Sequence, residues 1–288
     1  MGNDKYSALW VSYTSINDFL HCPRAYFLKN VYRDPTTGHK VKIVTPALTL
    51  GQAIHEVIDW LSYQPKEKRM SQSPVIYLDS VWSKYSGRRG GFLTSNVELS
   101  YLQRGKDMLN RLMKKPGVIL NPAVKIKSDL PFYWLSNEAN IILCGKIDWM
   151  EYIKETDSIH IIDFKTSKNE EEKDSLQLGI YGLLARNCQS RPITKISYWY
   201  INSQNEPKSI SLPDFDQVQD KILAITKQIK TARQLKIFKC PHQNGCIYCR
   251  SFEKILKKEA EFIGVNSHNE DLFILESSLD PKMESVIL

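Results

Sequence analysis

The sequence has no long apolar run: its longest mostly apolar stretch, residues 43–50, is broken by two threonines and a proline and is too short to cross a bilayer. No segment repeats at a period of about 20–50 residues, as solenoids and propellers would, and there is no low-complexity tract. The first 20 residues lack the apolar core of a signal peptide. We therefore expect a cytoplasmic, nucleoid or nuclear protein that is not secreted and has no membrane partner.

The composition, 42% hydrophobic and 25% charged, is that of a globular protein, and the net charge is +7. The charge is uneven, because residues 264–288 contain five acids and one lysine, which leaves +11 on residues 1–263. Such a basic body favours a polyanionic partner, although surface lysines also serve solubility. We expect residues 1–263 to form one domain and residues 264–288 to be an acidic C-terminal tail.

Apolar periodicity predicts a helical region at about 14–115, followed by a core at about 122–235 that contains strands. The predicted helices cover residues 15–32, 46–62, 73–85, 98–115, 173–187 and 216–234. A strand meander is predicted at residues 124–127, 130–136, 141–152 and 159–165, with further strands at 195–201 and 272–275. This order is typical of an α/β or α+β fold.

Two aspartates and a lysine lie in apolar strand segments. Asp148 interrupts segment 141–152, and Asp163 directly follows two isoleucines. A charge in such a segment is costly unless it is paired or binds a metal. If the strands are neighbours, both carboxylates can face one Mg²⁺ or Mn²⁺ ion. Lys165 follows Asp163 by two positions and so shares its strand face, where it could orient or deprotonate a water.

Three further polar residues border the predicted core. His55 lies beside the apolar stripe of the second helix and is a candidate metal ligand. Gln177 and Tyr181 stand at i and i+4, on one helical face, from which they could reach a phosphate or Lys165. Each feature alone has an ordinary structural interpretation, and their order along the chain is the stronger signal.

Taken in order, these motifs resemble those of a known family. They are Cys22-Pro-Arg-x-Tyr26, Gly51-x-x-x-His55, Gly145-x-x-Asp148, Asp163-x-Lys165 and Gln177-x-x-x-Tyr181. The sequence resembles the RecB-type branch of the PD-(D/E)XK nucleases over about residues 12–255. That branch includes the nuclease domains of RecB and AddB and the CRISPR-associated single-strand exonucleases.

The resemblance implies a restriction-endonuclease-like core, a central mixed sheet flanked by helices, and a Mg²⁺- or Mn²⁺-dependent deoxyribonuclease. The implied metal ligands are His55, Asp148, Asp163 and the Phe164 backbone carbonyl. Lys165 is the implied catalytic lysine, supported by Gln177 and Tyr181. The implied substrate is single-stranded DNA or DNA ends.

The biological setting is open at this stage. The chain has no P-loop of the form G-x-x-x-x-G-K-[ST], so any unwinding would come from a helicase or another replication or recombination protein. We expect an exonuclease in repair, recombination or replication. The alternatives are a CRISPR-adaptation-type nuclease and a DNA-binding or scaffold subunit, with a silent site, of a larger helicase–nuclease or replication complex.

Four of the six cysteines are predicted metal ligands: Cys22 and, in the Cys-rich segment 240–250, Cys240, Cys246 and Cys249. Cluster-bearing members of the family imply a [4Fe–4S] cluster, and a Cys₄ zinc site, with His242 as a further possible ligand, is the alternative. The C-x₅-C-x₂-C order reverses the spacing usual in the family. Cys144 and Cys188 lie among apolar residues and are predicted to be ordinary core residues.

Two basic groups are candidate DNA contacts. Arg24 and Tyr26 could hold a phosphate and stack on an unpaired base if they face the cleft. Arg88 and Arg89 lie in a glycine-rich loop that could touch a DNA backbone or be a solvated turn.

Overall fold

The computed structural model describes residues 4–167, 169–171 and 175–275. The described strands are Leu9–Val11 (β1), Lys40–Ile43 (β2), Phe132–Ser136 (β3), Ile141–Cys144 (β4), Trp149–Ile153 (β5), Ser158–Lys165 (β6), Ile193–Tyr200 (β7), Lys208–Ile210 (β8), Glu261–Val265 (β9) and Glu270–Ile274 (β10). The described α-helices are Tyr13–His21 (α1), Pro23–Tyr26 (α2), Pro46–Tyr63 (α3), Pro74–Trp82 (α4), Ser95–Lys114 (α5), Gln177–Cys188 (α6), Phe215–Leu235 (α7) and Ile247–Leu256 (α8). None of these helices combines the length and apolar composition needed to span a membrane.

A four-stranded mixed sheet in the order β5-β6-β7-β8 forms the centre of the molecule. β6 is parallel to β7, whereas the β5–β6 and β7–β8 pairs are antiparallel. Seven of the eight residues of β6 are buried, which matches its nearly continuous apolar sequence. The predicted α/β class, with a mixed sheet flanked by helices, is confirmed.

Two apolar cores cover the two faces of this sheet. On one face, α3, α4 and α5 pack against Ile162 and Phe164 of β6. On the other face, α6, α7 and the three-stranded sheet β1-β4-β3 pack against Ile159 and Ile161. Because side chains alternate along a strand, Asp163 shares the face of these two isoleucines, toward α6.

The first predicted helix, 15–32, is wrong as a continuous element. α1 ends at His21, Cys22 is extended (φ −165°, ψ 113°), and α2 begins at Pro23. Proline disfavours helical geometry in the residue before it and lacks an N–H group. A π-helical turn, Phe27–Val31, follows α2.

The predicted strand meander is also partly wrong. Segment 124–127 is not a strand, and its neighbourhood contributes a single bridge between Ala123 and Glu151. Segment 141–152 divides into β4 and β5, which belong to different sheets. β4 pairs in parallel with β1 from the start of the chain, a long-range pairing that local patterns do not contain.

A third sheet, here called the accessory sheet, joins β2, β10 and β9. It includes the start of the predicted acidic tail, since β10 covers Glu270–Ile274 and confirms a strand close to 272–275. Asp271 is 2% exposed and accepts hydrogen bonds from Thr37 Oγ1 (2.6 Å) and His39 Nδ1 (2.7 Å). The remainder of the predicted tail, 276–288, lies outside the described residues.

Candidate active site and cysteine centre

Predicted metal ligands from three elements meet where β5 begins and β6 ends. The two strands run antiparallel with Trp149 opposite Ile162, so Asp148, just before β5, lies beside the end of β6. The backbone N–H of Phe164 donates to Asp148 Oδ2 at 3.0 Å. His55 of α3 places Nδ1 3.1 Å from Asp148 Oδ1. Burial opposes the charged imidazole, but attraction to Asp148 outweighs it and raises the pKa of His55.

Asp163 is the buried carboxylate of this site, with 1% exposure. Its Oδ1 accepts a hydrogen bond from Gln177 Nε2 at 2.8 Å. Its Oδ2 is paired with the Lys165 ammonium, with Nζ at 3.1 Å, and accepts no hydrogen bond from any other described residue. Burial, reinforced by the charge of Asp148, raises the pKa of Asp163. Two close carboxylates, one of them fully buried, form a donor set that a hard divalent cation would stabilise.

Three acceptor side chains surround the Lys165 ammonium. Its Nζ lies 3.1 Å from Asp163 Oδ2 and 2.9 Å from Glu171 Oε1, and it donates to Gln177 Oε1 at 2.5 Å. Burial favours the neutral amine, but the charges of Asp163 and Glu171 outweigh it and raise the pKa of Lys165. The group is therefore an ammonium at neutral pH, suited to donating hydrogen bonds and stabilising negative charge rather than removing a proton.

The predicted pair on α6 supports these two residues. Gln177, the first residue of α6, bridges Asp163 and Lys165 through its two amide atoms and reaches Tyr181 Oη at 3.3 Å. Burial, followed by the charge of Asp163, raises the pKa of Tyr181 well above its ordinary value. The phenol thus stays neutral.

Two residues that contact Lys165 were not predicted. Glu171 lies in a Lys/Glu-rich loop typical of a solvated turn, yet its backbone N–H donates to Tyr200 Oη at 2.8 Å, which positions it over the site. Tyr198 of β7 places its ring 5.3 Å from Lys165 Nζ. The alternation of β7 could have indicated Tyr198, whereas nothing in the local sequence marks Glu171.

The four predicted cysteine ligands come together at one place. The Sγ atoms of Cys22, Cys240, Cys246 and Cys249 all lie within 4.8 Å of one another, and those of Cys246 and Cys249 are 3.8 Å apart. All four are free thiols. With Ala25, Leu28 and neighbouring side chains they form a small core between α2 and α8. His242 donates its backbone N–H to Cys240 Sγ at 3.4 Å, and its imidazole is not part of this group.

The spacing of the thiols can be compared with the spacing that a single ion or a cluster requires. Four thiolates bound tetrahedrally to one zinc at about 2.3 Å have sulfurs about 3.8 Å apart. In a [4Fe–4S] cluster each thiolate binds a different iron. The thiolate sulfurs therefore lie farther apart than around a single ion, because the irons are themselves separated. The observed spacing, at most 4.8 Å, is close to the edge of a single tetrahedral site, and the four thiols supply the ligands that either group requires.

The predicted DNA-contact residues do not form one surface. Arg24 pairs with Glu253, with Nε 2.5 Å from Oε1. Tyr26 is 1% exposed, so its ring packs in the core and cannot stack on a base, which corrects the prediction. Arg88 pairs with Glu261. Arg89 is exposed and makes no ion pair with the described residues.

A comparison with protein-family models agrees with the motifs. The sequence model of the PD-(D/E)XK nuclease superfamily matches residues 10–251. A solved structure named "Putative exonuclease", from Eubacterium rectale, is similar at 11% sequence identity with a TM-score of 0.49, over 84% of this chain and 87% of that chain. A search of curated proteins gave no match.

Proposed function

This chain belongs to the PD-(D/E)XK nuclease superfamily, and we propose that it is a deoxyribonuclease that hydrolyses phosphodiester bonds with Mg²⁺ or Mn²⁺. The observation that carries the proposal is the buried Asp163 carboxylate. It is 1% exposed, stands close enough to Asp148 for that charge to raise its pKa, and lies 3.1 Å from an ammonium. Burying one carboxylate close to another costs free energy, and a bound divalent cation would offset that cost. The arrangement is therefore typical of a metal-dependent hydrolase.

The residues of the site have separate roles in this proposal. His55, Asp148, Asp163 and the Phe164 carbonyl would hold the cation, which when bound polarises the phosphate and lowers the pKa of a water. Lys165, kept protonated by its carboxylate neighbours, orients the attacking water and donates to the phosphoryl oxygens as negative charge develops on them. Gln177 fixes Asp163 and Lys165 relative to each other.

We propose single-stranded DNA or DNA ends as the substrate, acted on as an exonuclease of the RecB type in the cytoplasm. The motif order and the basic body, +11 over residues 1–263, support this. A partner would supply any unwinding. The arrangement of His55, Asp148, Lys165 and Gln177 around Asp163 favours an active nuclease over a silent scaffold subunit.

The direct test is hydrolysis of an end-labelled single-stranded oligonucleotide. We expect degradation with Mn²⁺ or Mg²⁺, none with EDTA, and a loss of at least about 10³-fold in Asp163→Asn, because that change removes a ligand charge. Asp157→Asn is the matched control, since Asp157 is an exposed aspartate in a left-handed turn and should keep full activity. Inactivity of the wild type with every divalent metal, or full activity of Asp163→Asn, would refute the nuclease assignment.

We propose that the four cysteines bind one Zn²⁺, although the resemblance alone favours a [4Fe–4S] cluster. The thiol spacing described above supports the zinc alternative. Protein purified without oxygen should be colourless near 400 nm and contain about one zinc per chain by elemental analysis. Brown protein with about four irons per chain would instead establish the cluster.

A further inference from the structure

A cavity of about 450 Å³ lies between the accessory sheet, α3 and the segment around residues 84–89. That volume suits a nucleotide-sized group and is far too small for a duplex. The polar side chains on its wall that matter here are Lys42, Gln52, Glu56, Lys84, Tyr85 and Arg89.

The wall carries excess positive charge. Of its three lysine and arginine side chains, Lys84 is neutralised by Glu56, the single carboxylate on the wall. Lys42 pairs with Glu270, which does not line the cavity, at 3.6 Å, and Arg89 makes no ion pair in the described part of the chain. Among the described residues Arg89 is thus unpaired, and Lys42 is held by one long ion pair for which a phosphate can compete.

The cavity adjoins the active site along α3. Gln52 lines the cavity and His55 belongs to the site, and these residues are three apart on one helix. Three residues of an α-helix correspond to a rise of about 4.5 Å and an angular separation of about 60°. Gln52 is exposed and His55 is partly exposed, whereas Ala53 and Ile54 between them are buried in the core.

We infer that this cavity binds the backbone of a single DNA strand that continues from the phosphate at the active site, with Lys42 and Arg89 neutralising successive phosphates. Tyr85 provides an aromatic wall beside them. The inference rests on the proposed nuclease function and deepens it, because a cavity of this size selects an unpaired strand over a duplex.

The test is binding of a fluorescein-labelled 15-mer of thymidylate in EDTA, where no hydrolysis occurs, measured by anisotropy over a range of salt. We expect Lys42→Ala/Arg89→Ala to bind about tenfold more weakly, with the slope of log K against log salt reduced by about 1.4, since each single-strand phosphate contact contributes ~0.7. Lys42→Arg/Arg89→Lys, which keeps both charges, should bind within about twofold of the wild type.

The matched control is Lys221→Ala/Lys227→Ala, which removes the same charge from exposed positions of α7, on the opposite face of the central sheet. Equal weakening in this control, or equal weakening of duplex binding in the cavity variant, would overturn the inference. If the wild type hydrolyses DNA and the cavity variant binds the oligonucleotide normally, the cavity assignment fails and the nuclease assignment stands. Absence of hydrolysis by the wild type would instead defeat the nuclease assignment.

Discussion

Lys165→Ala is expected to reduce DNA hydrolysis by about 10³- to 10⁴-fold, which corresponds to roughly 4–5.5 kcal/mol of transition-state stabilisation. Three acceptors hold the ammonium, from Asp163, Glu171 and Gln177, so its position is fixed before substrate binds. Alanine removes the cationic side chain that contacts the buried carboxylate. Single-turnover hydrolysis of a labelled oligonucleotide with Mn²⁺ measures the effect on chemistry separately from product release.

The matched control for this variant is Lys195→Ala, an exposed lysine of the neighbouring strand β7, which should retain wild-type activity. Thermal melting of both variants establishes that loss of activity is not loss of fold. Lys165→Arg keeps the charge but not the compact ammonium geometry, and we expect it to recover only part of the rate. Activity of Lys165→Ala within tenfold of the wild type would eliminate Lys165 from the mechanism.

The parts of this site that the sequence predicts are those governed by local periodicity. Strand alternation places Asp163 and Lys165 on one face, and helical spacing pairs Gln177 with Tyr181. Both relations appear in the structure, where Lys165 lies 3.1 Å from Asp163 and Gln177 lies 3.3 Å from Tyr181. They depend only on residues a few positions apart.

The parts that the sequence does not predict depend on contacts distant along the chain. Glu171 reaches Lys165 because its loop is tied to β7 through Tyr200, and no local pattern encodes that tie. The accessory sheet pairs β2 with β10, more than 200 residues later. Pro23 indicates a helix break in the sequence, but the amphipathic pattern on both sides of it favours one long helix.

The second large effect is expected for substitution of Cys22. The helix break before Pro23 places the Cys22 thiol against the C-terminal cysteines. Cys22→Ser is expected to release the metal and lower the melting temperature by about 10 °C, since loss of several kcal/mol shifts a domain of this size by ~2–4 °C per kcal/mol. The small core around the thiols contains few other buried side chains, chiefly Ala25 and Leu28. Without the metal, α8 would be held against α2 chiefly by the partly exposed Arg24–Glu253 pair, and a pair of that kind contributes little stability.

We expect loss of the metal to destabilise the accessory sheet and to leave the central sheet intact. Ile255 of α8 packs with Val41, Ile43 and Leu275 of the accessory sheet, whereas α3 and β6 belong to a separate core. Amide hydrogen exchange should therefore become faster in α8, β9 and β10, while β6 stays protected. The affinity for single-stranded DNA should also fall, because the accessory sheet forms part of the proposed binding cavity. Cys188→Ser is the matched control, since that thiol lies outside the cysteine centre. A Cys22→Ser protein that keeps its metal, or melts within about 2 °C of Cys188→Ser, would show that the centre does not staple the two ends of the domain.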